Sequence, residues 1–162
     1  MNHELSRLAA EFRLTDPEHE PLRLAFGLAC VSRVRHLLED PGAMRCMAVL
    51  EDFQAGKLKR PAMDDAAREI AVIANGHRGS PSIDGSAHAA VSATYAVANA
   101  LAGRALDAAG YAAYAAVYAY GGYAVTDPSA FESEYAWQVQ TFNALAHPPA
   151  AGGRSAAMDT HA

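Results

Sequence analysis

Residues 87–119 read AHAAVSATYAVANALAGRALDAAGYAAYAAVYA, and this stretch decides the fold class. Alanine is the best helix former and a poor strand former, so a run this rich in it belongs to helices. Gly103 interrupts the run near its middle, and glycine is a poor residue for a helix interior. The run therefore divides into a helix over about 86–102 and another over about 105–120, the second stopped by Gly121 and Gly122. Small side chains let helix backbones approach closely, so the two halves are expected to fold back on each other as a packed central hairpin.

Working outward, the rest of the chain agrees. Of 162 residues 38 are alanine, 51% are apolar and 19% are charged, which is enough apolar material for a core and too little charge for a disordered chain. The length fits one domain. Asp16-Pro17, Asp40-Pro41, Arg60-Pro61, Ser80-Pro81 and Asp127-Pro128 each place a proline near a helix start, several behind a capping side chain. These points delimit further helices. One covers about 2–14, and one about 21–39 with Leu24, Leu28, Val31, Val34 and Leu38 on one face. Two more cover about 42–54 and 62–75. A last one covers about 128–145 and carries Phe131, Tyr135, Val139 and Phe142 toward the core. The expected architecture is all-α: a single-domain bundle of six to seven helices over 1–146 with an Ala-rich central hairpin. The tail 147–162, HPPAAGGRSAAMDTHA, has no periodicity and is expected to be disordered. Because alanine buries little area, the Leu, Ile, Val, Phe and Tyr side chains should dominate the hydrophobic stabilisation.

Charge and motifs exclude several function classes. The net charge of −5 offers no basic excess for phosphate neutralisation, which argues against nucleic-acid binding. The span 108–125 carries no charge, yet it consists of Ala, Tyr, Gly and Val without Leu, Ile or Phe, too weakly apolar to enter a membrane. The segment MNHELSR has no basic stretch followed by an apolar one, so no signal peptide is expected and the location is read as cytoplasmic. Cys30 and Cys46 lack CxxC spacing and read as small buried hydrophobes in a reducing compartment. No GxxxxGK[ST], GxGxxG, GxSxG or HExxH is present, so no cofactor and no catalytic residue is expected.

Two stripes carry what chemistry remains. His88, Ser92, Tyr95 and Asn99 recur at helical spacing and form a polar side of the first hairpin helix, lining a pocket or facing solvent. Tyr111, Tyr114 and Tyr118 form a stripe on the second. Tyrosine joins an apolar body to a polar tip and suits interfaces, so these seven residues are the candidate binding residues. The alternative is a helical small-molecule or metal-binding enzyme in which His36, His77, Asp84 and His88 converge. The i, i+4 spacing of Asp84 and His88 is its only local support, and the expected metal site is none.

The segment ACVSRV at 29–34, the helical hairpin after it and the Ala-rich run quoted above together resemble a bacterial family of toxin-immunity proteins. The resemblance spans roughly 21–123; the last helix with Trp137 and the tail lie outside it. It implies an all-α, non-enzymatic protein that binds a cognate toxin and neutralises it sterically. It carries over no catalytic residue. A homodimer through the Tyr and Ala faces is the remaining partner expectation.

Overall fold

Asp40 shows how the helix-start signals act. Its Oδ1 accepts hydrogen bonds from the backbone N–H of Gly42 (2.7 Å) and Ala43 (3.3 Å), with Pro41 in the first turn. Asn2 caps the first helix likewise, accepting from the Leu5 N–H at 3.1 Å. Asp127 accepts from the Ser129 N–H at 2.9 Å. The computed structural model describes residues 1–77 and 86–149, with the side chains of 86 and 87 left out. Ser80-Pro81 and the tail from 150 onward fall outside the described residues.

Seven α-helices and no strand occur among the described residues: α1 (His3–Glu11), α2 (Glu20–Arg33), α3 (Pro41–Gln54), α4 (Arg60–Gly76), α5 (Ser86–Leu101), α6 (Ala105–Tyr120) and α7 (Glu132–Ala146). They form the expected helical bundle around an Ala-rich hairpin of α5 and α6, whose mutual packing is the most extensive of any pair. Helix α5 is central and touches α2, α3, α4 and α6. Ala93, Ala96, Val97 and Ala100 on it are fully enclosed. On α6, Ala105, Ala108, Ala109, Ala112, Ala113 and Ala115 are buried. The larger side chains close the core from outside. Phe26 of α2 meets Phe142 of α7 edge-on at 5.4 Å, and Met47, Leu50, Met63 and Ile70 fill the α3–α4 side.

Helix α2 crosses α5 at a close contact made by a glycine. A Cβ on Gly27 would lie 3.1 Å from the Ala100 Cβ and 3.2 Å from its Cα, closer than packed carbons comfortably approach. Gly103 turns the chain between α5 and α6 at φ +69°, the left-handed conformation that glycine adopts without strain.

Three helices depart from the expected ranges, and the first of them, expected to reach Leu14, ends at Glu11. The helix expected to run to Glu39 stops at Arg33 and continues as a 3₁₀ turn at Arg35–Leu37. The one expected from Pro128 begins as a 3₁₀ turn, Pro128–Phe131, and becomes α7 at Glu132. The three-residue step from Val31 to Val34 fits both geometries, so the apolar pattern leading to Leu38 does not separate them. All three of those side chains are buried. The inward face of α7 is Glu134, Gln138 and Phe142; Tyr135 and Val139 are only half-buried. Cys30 and Cys46 are buried free thiols. Burial pushes both thiols up, Cys46 to about 11 and Cys30 further, which suppresses the reactive thiolate.

Candidate functional site

The two stripes face each other. Antiparallel packing of α5 and α6 stacks Tyr95 on Tyr111, with ring centroids 5.2 Å apart and planes at 20°. Seven residues back along α5 and seven forward along α6, His88 stacks on Tyr118 at 5.6 Å and 28°. Seven residues are close to two helical turns, so one register brings both pairs together on one side of the hairpin. Tyr114 lies between them on α6. It leans against Tyr118 at 6.1 Å and meets Phe131 edge-on at 5.2 Å, and Phe131 in turn packs on Tyr135 at 5.6 Å. The stripes are thus one aromatic face running from α5 across α6 to the start of α7.

The face is held and still accessible. Tyr111 is 40% exposed and Tyr114 44% exposed, His88 is exposed, and Tyr95, Ser92 and Tyr118 are half-buried. Offset stacks of this kind contribute about 0.5–1.5 kcal/mol beyond area burial and restrict ring rotation. The Tyr95 hydroxyl donates to Asn75 Oδ1 of α4 at 3.5 Å. Burial, with Tyr114 alongside, raises the Tyr135 hydroxyl, and its oxygen accepts a hydrogen bond from the Met1 ammonium at 3.0 Å. Asn99 is placed differently from the rest. It is buried, and its amide donates to the Tyr95 carbonyl at 2.8 Å one turn earlier, so it ties α5 internally.

The residues of the enzyme alternative do not assemble. Asp84 lies outside the described residues. His36 sits on the turn after α2 and lines a cavity of about 340 Å3 with Arg33, Tyr120 and Glu134. His77 ends α4 beside a different cavity with Asp40 and Ile73, and its Nδ1 is buried with no hydrogen-bond partner among the described residues. His88 is on the aromatic face. No group of three His, Cys, Asp or Glu side chains placed to hold a metal occurs among the described residues.

Sequence reasoning passed over an ion pair that anchors α7. Arg33 Nε and Nη2 donate to the two oxygens of Glu134 at 2.7 and 2.9 Å, and the guanidinium lies 4.6 Å from the Trp137 ring centroid. Gln138, also buried, donates to the Ala109 carbonyl of α6 at 2.8 Å and accepts from Asn2 at 3.1 Å. The available signal was polar residues at i and i+4 on the face that ends in Phe142. Asp127, with its carboxylate bonded to the Ser129 hydroxyl and N–H, is held below the usual carboxylate range.

Comparison of the chain with protein-family models, with curated proteins and with solved structures returns no match in any of the three.

Proposed function

We propose that this chain is a non-enzymatic binding protein whose α5–α6 aromatic face covers a partner protein, and that the partner is a bacterial toxin neutralised by steric occlusion in the cytoplasm. The observation that carries the reading is the stacked, half-exposed face of His88, Tyr95, Tyr111, Tyr114 and Tyr118. Tyrosine is enriched among the residues that dominate interface energies, and side chains ordered before binding lose little entropy on docking. Charge is sparse here: between His88 and Phe131 only Arg104, Asp107 and Asp127 are charged. Such a face suits a neutral, polar-and-aromatic patch on a protein better than a phosphate backbone. No helix among the described residues is long and apolar enough to cross a membrane. The toxin as partner comes from the resemblance of residues 21–123 to toxin-immunity proteins.

The test is rescue. Cells expressing a candidate toxin drawn from the genes neighbouring this chain's own are expected to survive when the chain is co-expressed. The double variant Tyr111→Ala/Tyr118→Ala should abolish survival while keeping its helical circular dichroism. Each hot-spot tyrosine is expected to contribute about 2 kcal/mol, so affinity should fall roughly a thousand-fold for the pair. Full rescue by the double variant would refute the assignment of this face. Failure of the unaltered chain to rescue would refute the toxin assignment.

A further inference from the structure

We propose that the cleft between the end of α1 and the α5–α6 turn is a second site, for a small monocarboxylate with an apolar body. The cleft measures about 820 Å3, inside the ~300–1,000 Å3 typical of small-molecule sites. Ala10, Ala102 and Leu106 supply exposed apolar surface along it, over the buried Ala9, Leu14 and Ala105.

Its charges carry the argument. Arg13, Arg23 and Arg104 line the cleft, and so do Asp16, Glu20 and Asp107. The numbers match but the pairing does not. Arg13 Nη2 holds Asp16 at 3.0 Å, and Glu20 is held at 2.7 Å by Arg60, which comes from outside the cleft. Arg23 spends Nη1 on two uncharged groups, the carbonyls of Leu14 (2.6 Å) and Asp16 (2.7 Å). Neither Arg23 nor Arg104 forms an ion pair among the described residues. Setting the paired residues aside, the cleft lining keeps two guanidinium groups, Arg23 and Arg104, and one carboxylate, Asp107, an excess of one positive charge that one carboxylate head would balance.

Arg23 is also positioned to receive it. Its two carbonyl bonds fix the guanidinium, and its Nε lies against the glycine turn, 3.9 Å from where a Gly103 Cβ would be. A fixed guanidinium offers its remaining N–H groups as a ready fork for a carboxylate. The cleft edge holds a backbone oddity as well. Arg13 closes α1 at φ +52°, donating its N–H to the Ala10 carbonyl while Leu14 donates to Ala9, a closing turn that ordinarily takes glycine.

Calorimetric titration of the full chain at pH 7 and low salt tests the site with three probes: octanoate, 1-octanol and octylammonium. Octanoate is expected to bind in preference to the other two, and more weakly as salt is raised. Arg104→Gln should weaken octanoate roughly ten-fold, and Asp107→Asn should strengthen it several-fold by removing the opposing charge. A gain of affinity cannot come from misfolding, so the second variant protects the test. Equal binding of octanol or octylammonium, or unchanged octanoate binding in both variants, would overturn the proposal. The site lies at the opposite end of the hairpin from the His88–Tyr118 stack, and its failure would leave the aromatic face untouched.

Discussion

Glu134 is the residue whose environment departs most from its type. A carboxylate with a side chain 11% exposed would ordinarily be expensive to bury, and it is accommodated because Arg33 grips both oxygens and stacks on Trp137. Removing one partner leaves the other half-desolvated. Arg33 is 37% exposed and can recover part of its hydration, so Glu134→Gln is expected to cost about 1–2 kcal/mol, less than breaking a fully buried pair. Urea unfolding at pH 7 measures this, and an unchanged midpoint would show that the pair contributes nothing net. The same pair places Tyr120 and His36 around a shared cavity at the junction of α2, α6 and α7.

At the scale of elements, the hairpin helices tolerate glycine for different reasons. Gly110 on α6 is exposed, and an added Cβ would meet nothing within 4 Å. Gly110→Ala therefore changes only backbone entropy and is expected to stabilise by about 0.5–1 kcal/mol. Gly27 on α2 faces Ala100 across a close helix crossing. Gly27→Val must push α2 away from α5 and is expected to destabilise by about 2 kcal/mol or more. Thermal denaturation of the two variants should move in opposite directions from the parent. Loss of stability in Gly110→Ala would mean that α6 needs glycine for a reason other than its backbone.

For the whole molecule, burial is uneven. Helix α5 is enclosed by α2, α3, α4 and α6, whereas α1 is pinned chiefly by Leu5 and Ala9 and by Asn2, which donates to the Tyr135 carbonyl and to Gln138 of α7. Local opening free energy follows buried contacts. Native-state hydrogen exchange should therefore find the slowest amides in α5 and the buried face of α6, with α1 opening first. Amides of α1 as protected as those of α5 would mean that the bundle opens only as one unit. The aromatic face lies on α5 and α6, the two helices whose mutual packing is the most extensive.

The fold class, the hairpin and most helix starts were legible in the amino-acid sequence because they rest on local physics. Alanine propensity, the glycine at 103, and capping by Asp40 and Asp127 act within a few residues of chain. The two stripes were legible as well, since helical periodicity groups His88 with Tyr95 and Tyr111 with Tyr118. That the stripes stack on each other depends on the register between α5 and α6, which local pattern does not encode. The same holds for Asn99, whose stripe reads either as lining a pocket or as facing solvent, and which the neighbours of α5 enclose. It holds also for Glu134 and Gln138, polar residues turned inward by partners distant in sequence at Arg33, Asn2 and Ala109. Local propensity determined which segments are helices. The tertiary structure alone decided which of their polar groups are buried, because that depends on partners brought together only when the helices pack.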